Sequence, residues 1–213
     1  MNSWEIFSTH QNNPSLKWIH YFPIYDRYFT QWKNKSLIFL EIGVFQGGSG
    51  SIWSKFFGPM ATIIGIDINP DCRRFETPFY KIRIGDQSDP RFLQHVIGEF
   101  GIPDIVLDDG SHKQDHILAS FEFLYPKMHK NSIYMVEDLH TAYWPDYNGG
   151  KDNPNTFINK TKGYIDQLHV MHHDIPHDPI MNNTFAIHVY DSITVFEKGA
   201  AFKKDHVFSG NIK

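Results

Sequence analysis

Apolar residues fall into short dense blocks separated by polar stretches with helical spacing. Ser36-LIFLEIGV is almost wholly apolar, the signature of a strand buried on both faces. Four similar blocks follow: Ala61-TIIGIDI, Tyr80-KIRIG, Pro103-DIVLDD and Ser132-IYMVED. The segments between them, 49–57, 90–100 and 115–130, have helical patterning. Strands alternating with helices predict a parallel sheet covered on both faces. Near the end, Thr184-FAIHVYDS and Ser192-ITVFEKG are two alternating runs close together, read as strands added at one sheet edge.

Other segments organise around this core. Residues 16–32 carry apolar positions at helical spacing, but Pro23 interrupts them, predicting two short helices or one broken helix. Trp144–Pro154 is rich in Gly, Pro, Asn and Asp and reads as a mobile loop before a helix over about 155–168. Following the last parallel strand, it is placed as a lid over the carboxyl edge of the sheet, where ligands bind in this architecture. The chain is thus expected to be one domain over 1–213. It comprises a helical cap at 1–35, a ligand-binding core at 36–143, a lid loop and helix at 144–183 and edge strands at 184–198.

With 213 residues, 41% hydrophobic and 21% charged, the composition is that of an ordinary globular domain. A net charge of −4 argues against a nucleic-acid partner, which calls for a basic face. The single Cys72 excludes a disulfide framework and fits a reducing cytoplasm. The start, MNSWEIFSTHQNNP, lacks signal-peptide character, and no apolar run approaches the roughly 18 residues that span a bilayer. A cytoplasmic, membrane-free protein is expected. Its oligomeric state is left open, a homo-oligomer included.

The candidate chemistry lies at the strand ends. Leu40-EIGVFQGGS runs from strand through a Gly-rich turn into a helix starting near Ser49. Gly43, Gly47 and Gly48 let backbone approach a ligand closely. Their spacing, G-x-x-x-G-G, is not the dinucleotide fingerprint. Glu41 before the turn would repel phosphate and favour a cation, such as an α-ammonium or a sulfonium. Asp67, 26 residues on, ends the second strand and can accept hydrogen bonds from ribose hydroxyls. Asp86 and Gln87 end the third and suit an adenine edge.

Asp108-Asp109 and Glu137-Asp138 end the next two strands. Four carboxylates around one crevice repel unless a cation neutralises them, and all-oxygen ligation suits Mg²⁺, with Mn²⁺ or Ca²⁺ as alternatives. His112 lies three residues past Asp109, and an imidazole can accept a proton near neutral pH.

The order E-x-G-x-x-x-G-G, ribose acid, G-D pair resembles class I S-adenosylmethionine-dependent methyltransferases, over about residues 36–198. That resemblance implies a Rossmann-like α/β fold with a mostly parallel seven-stranded sheet and an antiparallel last strand. It places S-adenosylmethionine at Glu41, Gly43, Gly47, Gly48, Ser49, Asp67, Asp86, Gln87 and Asp108. DDGSH followed by EDLHTAYW, with YDSITVFEKG at the end, resembles the metal-dependent sugar O-methyltransferases of the macrocin and mycinamicin type. It implies Mg²⁺ (or Mn²⁺) on Asp109, Glu137 and Asp138, His112 as base with Asp109 beside it, and a sugar or small-molecule acceptor. Catechol-type O-methyltransferases are similar at the metal positions but place a Lys where this chain has His112. Macrolide enzymes also carry a large additional N-terminal region, so a nucleotide-sugar or a polysaccharide is as good an acceptor.

Several residues have two readings. Lys17, His20, Tyr21 and Tyr25 could cover the cofactor, and packing explains the tyrosines equally well. Tyr143 and Trp144 could wall a sugar ring or pack under the lid. The His172, His173, Asp174, His177 run matches no common zinc spacing. A His/carboxylate set could hold Fe(II) in an oxygenase, but an oxygenase has no use for an adenosine pocket. A non-catalytic binding module would not be expected to keep both ends of the site.

Overall fold

The computed structural model describes residues 1–199 and 206–210. Among these residues seven strands form one sheet: β1 (Leu37–Ile42), β2 (Ala61–Asp67), β3 (Tyr80–Ile84), β4 (Ile105–Asp108), β5 (Ile133–Val136), β6 (Thr184–Val189) and β7 (Thr194–Lys198). Their order is β3-β2-β1-β4-β5-β7-β6, with β1 to β5 parallel and β7 antiparallel to both its neighbours. This is the expected architecture. The strand order reverses between β1 and β4, so their carboxyl ends diverge into a crevice, the usual ligand position in doubly wound sheets.

Side-chain alternation builds a core on each face. Phe39, Leu107, Ile133 and Met135 point to one side, where Phe29, Phe39, Trp53 and Phe57 interlock with ring centroids 5.1–6.1 Å apart. Leu40, Val106, Tyr134 and Val136 point to the other, packing with Phe121, Phe157 and Phe196. Truncating any of these fully buried rings to Ala should cost about 3–5 kcal/mol.

Among the described residues six α-helices surround the sheet: α1 (Ser3–Ser8), α2 (Phe22–Phe29), α3 (Gly48–Phe57), α4 (Pro90–Phe100), α5 (Gln114–Leu124) and α6 (Phe157–Leu168). The break expected near Pro23 falls just before it. Pro23 sits in the first turn of α2, where its missing N–H leaves no bond unmade, and residues 11–18 ahead are not helical. The helix expected over 115–130 ends at Leu124, where Pro126 allows only a 3₁₀ turn. α1 was not anticipated. Its signal is the capping box Asn2…Glu5. Residues 144–154 are tied down by asparagine amides: Asn148 donates to Asp115 Oδ1 (2.8 Å), Asn153 to the Asn148 carbonyl (2.9 Å) and Asn159 to the Asn153 carbonyl (2.8 Å).

Candidate active site

A cleft of about 540 Å³ opens at the carboxyl ends of β1, β2, β3 and β4. Its far end is formed by Asp67, Asp86, Phe45 and Ile68, and its near end by Asp109, His112, Asp138 and Lys17. Phe45 and Ile68 are 62% and 66% exposed, apolar surfaces left facing a cavity.

The Gly-rich turn is shaped by protein as much as by any ligand. A Cβ on Gly43 (φ +98°) would lie 2.2 Å from the Asp109 carbonyl oxygen, so glycine allows the β1 and β4 loops to touch. A Cβ on Gly48 would lie 2.3 Å from the Asn13 carbonyl oxygen, so this glycine makes room for the N-terminal segment. Gly47 caps α3. Asp67 Oδ2 accepts from the Val44 and Phe45 amides (2.9 and 3.1 Å) and Oδ1 from the Asn69 amide (2.9 Å). It braces the turn while still lining the cleft. Asp86 likewise lines the cleft, and the Ser88 amide and hydroxyl (both 2.8 Å to Oδ1) hold its carboxyl below the usual range.

The sequence-level picture of four acids around one crevice is corrected by strand alternation. On β4, Asp108 follows Val106 to the α5 side of the sheet. There it is 1% exposed and accepts from Ser120 Oγ (2.7 Å), Gln87 Nε2 (3.1 Å) and the Tyr134 hydroxyl (3.1 Å). Burial pushes its carboxyl up against these donors. Gln87 is spent on the same cluster, its Oε1 accepting from the Ser111 amide (2.9 Å). Asp108 is therefore not on the cleft wall, and the Gln87 amide is not free for an adenine edge.

Glu41, Asp109 and Glu137 lie on the opposite side. Glu41 is fully buried and accepts from Ser49 Oγ (2.6 Å) and Trp53 Nε1 (3.2 Å). Burial pushes it up to about 7, partly offset by the Lys17 charge. It does not line the cleft, so its charge meets Lys17 rather than a ligand directly. Glu137 is 1% exposed and accepts from the Tyr25 hydroxyl (2.5 Å) and from Lys17 Nζ (2.8 Å); burial pushes it up to about 8, opposed by Lys17. The same Nζ lies 2.5 Å from Asp109 Oδ2.

Asp138 and His112 meet from separate loops. Asp138 accepts from the Tyr21 hydroxyl at 2.6 Å. His112 Nε2 lies 3.6 Å from Asp138 Oδ2. Both have positive φ (+58° and +52°), and non-glycine residues in that region concentrate at functional sites. One ligand atom each from Asp109, His112 and Asp138 fall within 4.8 Å of one another, the one such group among the described residues. Glu137 stands apart from it, across Lys17. The His172–His177 run is exposed and forms no such group.

Of the residues with two readings, Tyr21 and Tyr25 prove to be hydrogen-bond donors to the acids, and Lys17 their counter-ion. His20 is exposed and does not line the cleft. Tyr143 and Trp144 are about half exposed (51% and 49%). Beside His112 runs a band of rings: Trp18–His140 at 6.0 Å, His140–Trp144 at 4.9 Å, Trp144–Tyr147 at 6.0 Å and Tyr147–His112 at 6.3 Å.

No protein-family model matches the chain. Among solved structures, the MycE methyltransferase of the mycinamycin pathway, in complex with Mg, SAH and mycinamycin VI, superposes with a TM-score of 0.82. The two are 31% identical, over 96% of this chain and 57% of that one. The chain has the Rossmann-like fold of that methyltransferase. In sequence, the chain is 35% identical over 202 residues to the mycinamicin VI 2''-O-methyltransferase of Micromonospora griseorubida, covering 87% of the chain and 50% of that enzyme. It is 35% identical over 202 residues to the demethylmacrocin O-methyltransferase of Streptomyces fradiae (86% and 50%). It is 32% identical over 200 residues to the 8-demethyl-8-alpha-L-rhamnosyl tetracenomycin-C 2'-O-methyltransferase of Streptomyces olivaceus (87% and 52%). The chain spans about half the length of the curated relatives it matches. No helix among the described residues is long and apolar enough to cross a membrane.

Proposed function

We propose that this domain transfers a methyl group from S-adenosylmethionine to a hydroxyl of a sugar or glycosylated small molecule, with Mg²⁺ (or Mn²⁺) as cofactor, and that it works in the cytoplasm. The observation that carries this reading is the meeting of Asp109, His112 and Asp138 at one end of a cleft whose other end presents Asp67, Asp86 and two bare apolar side chains. The donor set is rich in carboxylate oxygen and already holds one cation, the Lys17 ammonium, between Asp109 and Glu137. That chemistry fits a hard divalent ion held by Asp109, Glu137 and Asp138. When bound, the ion makes an acceptor hydroxyl more acidic, and S-adenosylmethionine offers the electrophilic methyl.

The residues of the chain do the rest. Asp67 and Asp86 accept hydrogen bonds from the nucleoside, and Phe45 and Ile68 cover its apolar faces. Glu41, Gly43, Gly47, Gly48 and Ser49 act one layer back, fixing the turn and α3 against which the cofactor lies. His112 takes the acceptor proton at Nε2, and Asp138, 3.6 Å away, steadies the imidazolium that results. The ring band from Trp18 to Tyr147 offers flat faces for the C–H face of a sugar beside that base. Residues 144–183 serve as the lid and acceptor wall over the 36–143 core, and 1–35 as the cap.

A screen of glycosides and nucleotide-sugars with methyl-labelled S-adenosylmethionine tests the reading. Label should move to a sugar hydroxyl with Mg²⁺ present, stop in EDTA and return when Mg²⁺ is restored. Turnover that survives exhaustive chelation would remove the metal from the scheme. Absence of S-adenosylmethionine binding by calorimetry would remove the methyltransferase reading itself.

A further inference from the structure

Lys17 is the feature that the proposed reaction leaves without a role. It belongs to a non-helical segment, residues 10–18, pressed against the start of α3 at Gly48. Its side chain is 5% exposed, whereas Leu16, Trp18 and Ile19 around it are 83%, 56% and 73% exposed. None of these apolar side chains is buried in the core, Leu16 lining the cleft and Trp18 lying beside His140, so the buried ammonium is the segment's anchor. A lysine is buried in this way only when paired. Its partners are Asp109 Oδ2 at 2.5 Å and Glu137 Oε2 at 2.8 Å, with the Glu41 charge behind them.

Those two oxygens belong to the proposed metal ligands, and one position cannot serve both cations. Mg²⁺ takes oxygens at about 2.0–2.1 Å in near-octahedral geometry. An ion drawing on Asp109 and Glu137 would lie almost on top of Nζ, and charges that close repel strongly at low effective dielectric. We propose that Lys17 is a built-in place-holder for the divalent ion: it neutralises Asp109 and Glu137 in the metal-free protein, and metal loading expels it and lifts residues 10–18. This rests on the reading of the acid cluster as a metal seat. The doubly charged ion wins the exchange because it brings more charge closer to both carboxylates. The exchange also leaves His112 off the metal and free to act as base. An ion seated on Asp109, His112 and Asp138 would instead let Lys17 stay and would occupy that base.

The test compares the wild-type protein with Lys17→Met and Lys17→Arg, without S-adenosylmethionine or acceptor. Mn²⁺ affinity is read by calorimetry and backbone hydrogen exchange by mass spectrometry. Removing the competing charge should tighten Mn²⁺ binding at least tenfold in Lys17→Met, while Lys17→Arg binds no tighter than wild type. Mn²⁺ should raise exchange across residues 10–18 of the wild type. This last measurement needs no variant, so it holds even if Lys17→Met folds poorly without metal. Equal or weaker Mn²⁺ binding by a folded Lys17→Met, or unchanged exchange in the wild-type segment at saturating Mn²⁺, would overturn the exchange while leaving the metal seat intact. Absence of Mn²⁺ binding to any of the three proteins would overturn the seat itself and the exchange with it.

Discussion

His112 and Asp138 come from loops after different strands, and both hold positive φ while their side chains approach to 3.6 Å. Two unfavourable backbone conformations, each costing of order 1–3 kcal/mol, are kept where an imidazole and a carboxylate face one cleft. If His112 takes the acceptor proton, His112→Asn is the cleanest removal, since Asn tolerates the left-handed backbone. It should lower kcat by roughly 10²–10⁴-fold with little change in S-adenosylmethionine affinity. Near-normal kcat in this variant would reduce His112 to a loop residue.

Asp67 joins turn and ligand. Asp67→Ala strands the Val44 and Phe45 amides and removes the acceptor proposed for the ribose. Binding of S-adenosylmethionine should weaken by about 1.5–3 kcal/mol, the worth of hydrogen bonds to a charged group. Calorimetry showing unchanged affinity would mean that Asp67 serves the turn alone.

Glu41 makes the metal-free domain less stable as pH rises. Its folded pKa, about 7, lies above the ordinary carboxylate value because of burial. The folded state therefore keeps a proton that the unfolded chain has lost, and stability drains away between about pH 4.5 and 7. Glu41→Gln keeps a polar partner for Ser49 and Trp53 without that titration. In EDTA, wild-type Tm minus Glu41→Gln Tm should be largest at pH 5 and shrink by pH 8. A difference independent of pH would show that Glu41 is ionised throughout.

The ring band makes a separate prediction for the acceptor. Trp144 is half exposed and packs edge-on against His140, so Trp144→Ala should remove contact surface and little core. KM for a glycoside acceptor should rise severalfold while S-adenosylmethionine affinity and Tm hold. A fall in Tm with unchanged KM would instead assign Trp144 to packing of the 144–154 loop.

Much of this molecule was legible in one dimension. Parallel strands buried on both faces leave continuous apolar blocks, so β1 to β5 could be read directly, as could β6 and β7 at one end of the sheet from their alternation. The acids stood out because each follows such a block, and the closeness of Asp109 to His112 is a matter of three residues. Gln87 does line the cleft, with its amide spent on Asp108, Ser120 and the Ser111 amide, whereas the place of Asp108 off the cleft wall could be read from the chain alone. Consecutive strand residues point to opposite faces, so Asp108 and Asp109 could not both line one side.

Tertiary structure alone decided which charge meets which. Lys17 is 92 residues from Asp109 and 120 from Glu137, and nothing local marks it as their partner. Tyr21 and Tyr25 look like packing residues until α2 and the 3₁₀ turn ahead of it fold against the acid side of the sheet and turn their hydroxyls onto Asp138 and Glu137. Periodicity reports what each residue does to its own strand or helix, because that energy is local. Pairing a buried charge is a contact between distant segments, and its partner emerges only when the sheet brings them together.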